Sequence, residues 1–284
     1  MELALGTVQF GMPYGIAGSG AAVAHEEAAA ILQCAAEAGV RWLDTASAYG
    51  DAEARLRSLM GRHEFHVVSK LRPAPANLRD AELAQWVREE LQRSRERLGD
   101  SLRALMFHRA EDLLAERGRV LWDAASQFAQ DAQCALGVSC YEPGLLARLC
   151  ALHPVAVAQL PGNALDQRLA QEPPRIPLHL RSAFLQGLLL MPLERAARRL
   201  PAAAPALARW HRWCAERGLA PLTAALGIAK GLPGVTHCVV GAEQLVQFEA
   251  IVRAWQDAPV LHAPELAMHE AAVIDPRQWQ TEPA

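Results

Sequence analysis

Short apolar runs alternate along the chain with longer stretches in which apolar positions return every three or four residues. The short runs are mostly unbroken, as expected of parallel strands covered on both faces. Eight of them stand out: Leu3–Val8, Val40–Asp44, Phe65–Lys70, Leu102–His108, Ala135–Ser139, Val155–Leu160, Ile176–Ala183 and Val235–Val240. The stretches between them read as helices. Ile31, Leu32, Ala35 and Ala38 mark the apolar face of one that ends at Gly39. Leu83, Trp86, Val87, Leu91 and Leu98 mark the face of another, with Asp80 as its N-cap and Gly99 as its stop. Pro143 and Pro221 stand where a first helical turn begins. The longest gap, between the seventh and eighth runs, reads as two helices, Leu193 to Gly218 and Pro221 to Gly231. The segment from Pro259 onward, with Pro264 and Pro276, reads as one more helix and an irregular tail.

Eight strands with crossover helices predict an α/β fold, a closed (β/α)8 TIM barrel, as a single domain over residues 1–284. An open doubly wound sheet is the alternative. It is weakened because no G-x-G-x-x-G follows the first strand.

Composition narrows the class. The chain has 284 residues, 51% hydrophobic and 21% charged, with a formal net charge of −3, so it can fill one large core. No basic surplus points to nucleic acid or to an anionic membrane. The six cysteines form no C-x-x-C pair and sit mostly in apolar runs, as in a reduced, cytoplasmic protein. The N-terminus has no basic region followed by a long apolar stretch, and no 18-residue apolar run lacks charges, so neither a leader nor a membrane span is expected. The histidines show no metal-ligand spacing, so no metal is expected. Trp210 and Trp213 suit either a subunit interface or a buried helix face, and the oligomeric state stays open.

In such a barrel the C-terminal strand ends converge on one mouth. They bring together Asp44, Lys70, His108, Ser139, Gln159 and Ser182, with Tyr49 five residues after Asp44. Lys70 draws notice because the chain has only one other lysine, Lys230. Reducing a carbonyl by hydride requires a proton donor for its oxygen. A free tyrosine, with a pKa near 10, is too weak an acid at neutral pH, and a neighbouring ammonium lowers that value. A carboxylate holds the ammonium in place, and a histidine holds the substrate oxygen beside the phenol. Taken singly, Asp44 reads as a cap, Tyr49 as a loop aromatic, Lys70 as a solvated strand end and His108 as a core histidine. Taken together, the chemical reading outweighs these.

The segment Asp44-Thr45-Ala46-Ser47-Ala48-Tyr49-Gly50 resembles the D-T-A-x-x-Y-G element of the aldo-keto reductases. Val67 to Leu71, Leu105 to His108, Gly137-Val138-Ser139, and Gln159 with Asn163 are similar to later elements of that family, and Leu5-Gly6-Thr7 to its opening strand. The resemblance runs to about residue 255. It implies a reductase of small-molecule carbonyls that uses NADP, with NAD as the other option, and needs no metal. It implies Tyr49 as general acid, Lys70 as the group that lowers its pKa, Asp44 as the anchor of Lys70, and His108 as the group orienting the carbonyl. Ser139 and Gln159 would bind the nicotinamide carboxamide. Thr7, Ser182, Gln186, Gly187, Gly241 and Gln247 complete the cofactor set, and Gln186-Gly187 belong to the pyrophosphate loop.

Three positions depart from the pattern. Cys140 follows Ser139 where an asparagine is usual, and is the weaker hydrogen-bond partner. Arg181 stands where many members stack an aromatic ring on the nicotinamide. A guanidinium can stack, reach a phosphate or form a rim salt bridge. Glu243 stands after the eighth strand where a positive charge would grip a 2′-phosphate, a logic that favours NAD, although the helix N-terminus after Gly241 could still bind a phosphate through its backbone. The short loop after His108, Arg109 to about Asp112, points to an open mouth suited to a bulky or sugar-like carbonyl. Two other functions remain in view: a cofactor-binding regulatory or partner subunit with little turnover, and a cofactor-independent barrel enzyme.

Overall fold

The chain folds into a closed barrel of eight parallel strands, paired in sequence order, with the eighth returning to the first. This architecture is seen in a computed structural model that describes residues 1–173 and 175–279. The strands are β1 (Glu2–Gly6), β2 (Trp42–Asp44), β3 (His66–Leu71), β4 (Leu102–Phe107), β5 (Ala135–Ser139), β6 (Val157–Pro161), β7 (Leu178–Arg181) and β8 (Val235–Val240). Each predicted run falls on one strand, with ends differing by no more than two residues.

Outside the strands lie α2 (His25–Glu37), α3 (Ala52–Leu59), α4 (Asp80–Leu98), α5 (Gly118–Asp131), α6 (Pro143–Leu152), α7 (Leu193–Arg199), α8 (Ala204–Glu216), α9 (Pro221–Gly231) and α10 (Leu245–Asp257). Two single turns, α1 (Val8–Gly11) and α11 (Ala271–Ile274), flank them in the chain. Pro143 and Pro221 open α6 and α9 as expected. Several local expectations change. Ala38 lies past the end of α2 and is exposed, and Ala36 takes its place against the core. Asp80 is the first residue of α4 rather than its cap. The Glu82 carboxylate caps the Arg79 amide at 2.9 Å, and Asp80 pairs instead with Arg117 at 2.9 Å. The gap before β8 holds three helices, because Pro201 cannot continue α7 and forces Leu200 into an extended turn. The β6–β7 connection has no α-helix among its described residues. Asn163 Oδ1 there accepts the amides of Leu165 and Asp166 and turns the chain sharply. After α10 come only the turn α11 and short 3-10 turns, and the predicted tail at 280–284 lies outside the described residues. Trp210 and Trp213 are buried and stack with ring centroids 6.0 Å apart, on the inner side of α8. Among the described residues no helix is long and apolar enough to cross a membrane.

Side chains two residues apart on a strand face the same way, so each strand sends a column into the barrel. At the N-terminal end, Trp42, His66, His179 and His237 meet, with Trp42–His66 centroids 5.0 Å and His179–His237 centroids 4.3 Å apart. A small apolar layer follows, with Val68, Ala104, Met106 and Val157. Two residues beyond Trp42 and Val68, at the C-terminal end, stand Asp44 and Lys70.

Candidate active site

Lys70 ends the inward column of β3 with its side chain fully buried. An isolated buried ammonium is costly, and two acceptors compensate it: Asp44 Oδ1 at 2.6 Å and the Thr45 carbonyl at 3.0 Å. Burial lowers the proton affinity of Lys70, and Asp44 opposes that. The other Asp44 oxygen accepts from Gln159 Nε2 at 2.6 Å, and the Thr7 amide and hydroxyl both donate to the Asp44 carbonyl. The carboxylate is therefore fixed from both sides.

The turn after β2 carries Tyr49 over this pair. Gly50 adopts a positive φ of 56°, and a Cβ there would lie 2.3 Å from the Gly11 carbonyl. A side chain on Gly11 would in turn strike the Tyr49 carbonyl. These two glycines let the turn pack onto the β1 loop. Lys70 Nζ lies 5.2 Å from the Tyr49 ring centroid, and His108 meets the same ring edge-on at 5.5 Å. Burial raises the pKa of Tyr49, Asp44 adds to the rise, and Arg181 opposes it. The net direction is opposite to the lowering expected from Lys70, whose charge is held by Asp44. His108 is pushed down to about 4, first by burial and then by Lys70, with Asp44 opposing.

Ser139 Oγ donates to Gln159 Oε1 at 3.4 Å, so these two neighbours on β5 and β6 form a loose pair. Cys140 is buried and its thiol is pushed up to about 12 by burial, and neither it nor Ser139 nor His108 is among the residues lining the cleft described below. Arg181 forms no ion pair among the described residues, so the rim salt bridge is not seen. Its guanidinium makes long contacts to Ser182 Oγ (3.3 Å) and the Cys140 carbonyl (3.5 Å) and lies 4.0 Å from the Tyr141 ring centroid. Arg277 covers that ring at 3.5 Å, which ties the C-terminal segment to the mouth.

A cleft of about 430 Å³ starts at Asp44, Tyr49 and Gln159 and runs past Thr7, Arg181 and Ser182 to Gly241, Glu243, Gln247 and Ile251. One wall is the loop after β7, where Ser182, Leu185 and Gln186 all have positive φ, between 48° and 64°. Three non-glycine residues held in that region store strain beside the site. The segment between Met12 and Ala22 borders the cleft. Its Ile16 amide donates to Gln186 Oε1 (3.3 Å), Ala17 sits against Gly187, and its Ser19 amide donates to Glu243 Oε2 (2.9 Å). Gln247 Oε1 caps α10 by accepting the Glu243 and Gln244 amides. Two buried acceptors of cleft-lining residues, Gln9 Oε1 and Glu243 Oε1, have no donor in the protein. Both are covered by glycine turns, at Gly241 and Gly18, and the elongated, glycine-bordered cleft suits an extended ligand.

A model of the Aldo/keto reductase family matches residues 2–273. The chain belongs to the aldo/keto reductase family. No curated protein matches its sequence significantly. Among solved structures, it is similar to an aldo-keto reductase from Bacillus halodurans in its holo form, at 18% identity over 98% of this chain and 95% of that one, with a TM-score of 0.70. It is also similar to a Pseudomonas aeruginosa protein assigned as an aldo-keto reductase, at 21% identity over 90% of each chain, with a TM-score of 0.63. At these identities the likeness speaks for the fold alone.

This aldo/keto reductase also has mouth residues that sequence reasoning missed. Tyr14 lines the cleft; the residue is 41% exposed, but desolvation around its hydroxyl raises its pKa against the pull of the Arg181 and Lys70 charges. Gln9 packs against Gly241, where a Cβ would lie 2.6 Å from Gln9 Oε1. Tyr141 and Arg277 support Arg181 from behind. Tyr14, Tyr49 and Tyr141 are the only tyrosines of the chain, and all three gather at one mouth. That scarcity was the signal available in the sequence.

Proposed function

We propose that this aldo/keto reductase interconverts a small-molecule aldehyde or ketone and its alcohol, with Tyr49 as the proton donor. The observation that carries this reading is the buried Lys70–Asp44 pair at 2.6 Å beneath Tyr49, with His108 against the same ring. A bound nicotinamide cofactor supplies the hydride. Ser139, Gln159 and Thr7 are the proposed partners of its reactive end, Arg181, Ser182, Gln186 and Gly187 those along the β7 loop, and Gly241, Glu243 and Gln247 those at the far end.

Two groups at the mouth compete for the role of acid. With a pKa near 4, His108 is neutral at pH 7 and has a single N–H to offer. It is suited to hold a carbonyl oxygen by hydrogen bonding. Tyr49 keeps its proton in the free protein and therefore carries one to deliver. As negative charge develops on the substrate oxygen, that oxygen becomes a stronger base next to the phenol. The Lys70 ammonium then stabilises the phenolate left behind, and Asp44 keeps Lys70 in place.

The test is Tyr49→Phe, assayed with NADH and NADPH on a panel of aldehydes and ketones. Reduction should fall by about 10²- to 10⁴-fold while cofactor fluorescence titrations stay nearly unchanged. Full activity in the variant would remove Tyr49 from the role. Binding without turnover by the native protein across the panel would favour a cofactor-binding partner subunit instead.

A further inference from the structure

The far end of the cleft is where the molecule departs from what a phosphorylated cofactor needs. A helix N-terminus binds anions because its first amides are free and its dipole is positive. At α10 most of the amides around the N-terminus are already taken. Gln247 Oε1 accepts from Glu243 N at 2.9 Å and Gln244 N at 3.3 Å, and the Glu27 carboxylate, from α2, accepts from Leu245 N at 2.5 Å. The protein thus places a carboxylate of its own at the first amide of the helix, where an anion would bind. A shallow groove beside it is bordered by Glu27, Glu243 and Glu249, and no lysine, arginine or histidine is among its lining residues. The arginine on the neighbouring turn, Arg253, is paired with Glu249 at 3.9 Å.

The second observation concerns Glu243 itself. One carboxylate oxygen, Oε2, accepts the Ser19 amide at 2.9 Å. The other, Oε1, is buried and has no donor. Oε1 lies under the Gly18 turn, and a carboxylate can only accept, so Glu243 favours a ligand hydroxyl over a phosphate at this place. A phosphate monoester carries between one and two negative charges at pH 7, brings almost no proton to donate, and is repelled by carboxylates.

We propose that this end of the cleft reads an unphosphorylated ribose through Glu243, so that the protein takes NAD(H) in preference to NADP(H). The proposal rests on reading the cleft as a dinucleotide site. A dinucleotide whose reactive ring lies at Tyr49 has its adenosine half at the other end of the same cleft, where Glu243 and α10 stand. Glu243 is the discriminating residue, and Glu27 adds a second negative charge by accepting the Leu245 amide.

Equilibrium titration tests this without turnover. NADH and NADPH are each titrated into the native protein, Glu243→Arg and Glu243→Gln, with quenching of tryptophan emission as the readout. Native protein should bind NADH at least tenfold more tightly. Glu243→Arg should shift the ratio toward NADPH by tenfold or more. Glu243→Gln keeps an acceptor for the Ser19 amide and loses only the charge, so it should shift the ratio several-fold and serves if the arginine variant fails to fold. Equal or tighter NADPH binding by the native protein would overturn the preference and leave the dinucleotide reading standing. An unchanged ratio in the folded variants would remove Glu243 from the role. Failure of the native protein to bind either cofactor would sink the underlying reading and this proposal with it.

Discussion

Both ends of the barrel interior are lined by polar side chains, yet only one end keeps charge. At the C-terminal end Lys70 and Asp44 are buried and ionic, held at 2.6 Å with Gln159 completing the carboxylate. At the N-terminal end three imidazoles surround Trp42. Burial pushes His179 down to about 3, with His237 adding to the fall, and lowers His237 as well. Two nitrogens there, His66 Nδ1 and His179 Nδ1, have no partner in the protein. The same barrel thus handles buried polarity in two ways. Where the barrel keeps a charge, the fold surrounds it with partners. At the other end burial holds His179 and His237 toward the neutral form, and they pack as aromatic rings with Trp42.

The comparison can be broken most forcefully at Lys70. Lys70→Met should leave the Asp44 carboxylate unpaired in the interior and cost about 3–5 kcal/mol of stability by urea unfolding, with reduction lost. Replacing the pair together, as Lys70→Met with Asp44→Leu, should recover most of that stability and none of the activity. If the double variant were as unstable as the single, the pair would have to be read as structural.

The N-terminal end predicts a pH effect. The folded value of His179 lies below the unfolded value near 6.5, so the unfolded chain takes up the proton first. Stability from this residue is complete above about pH 6.5 and declines as pH falls toward 3. The loss amounts to about 2 kcal/mol by pH 5. His179→Leu should remove that part of the decline in denaturant titrations at pH 7 and pH 5. An unchanged pH dependence would place the acid-sensitive group elsewhere.

The smallest effect concerns the strained wall of the cleft. Gln186 holds φ at 52°, which an L side chain adopts at a cost, so Gln186→Gly should relieve about 1 kcal/mol. The loss of its hydrogen bond to Ile16 and the greater freedom of the unfolded glycine will offset part of this. A thermal shift upward, or none, agrees with strain, and a fall of several degrees would show the latch to matter more.

The strands and the four-residue cluster were legible because their information is local. Period-two alternation puts Trp42 with Asp44, and His66 with Val68 and Lys70, on single inward columns. The D-T-A-x-x-Y-G turn then carries Tyr49 to the same place. Gln9, Tyr14 and Glu27 were not legible. They lie on or beside a segment with no hydrophobic period and reach the site only when β8 closes onto β1, which brings Glu27 to Leu245 across 218 positions of sequence. The direction of the Tyr49 shift was hidden for a related reason. A lysine beside a tyrosine is visible as a motif, whereas burial is a property of the closed mouth. The helix between Leu193 and Gly218 was misjudged as continuous because tertiary packing accepts the break that Pro201 imposes.

The segment between Met12 and Ala22 has its ends gathered by one side chain. The Arg55 guanidinium donates to the Phe10 carbonyl and, at 2.8 Å, to that of Val23, while the Val23 amide donates to the Gln9 carbonyl. The roots are fixed, and the crown is held by the Ile16 and Ser19 amides, by Ile16 packed on the apolar cluster around α8 and by Ala17 against Gly187. Each of the two hydrogen bonds contributes about 1 kcal/mol. Gly15 and Gly20 supply the left-handed bends between root and crown. Opening the cleft along this side costs two amide hydrogen bonds and the Ile16 and Ala17 contacts, and leaves the barrel beneath untouched.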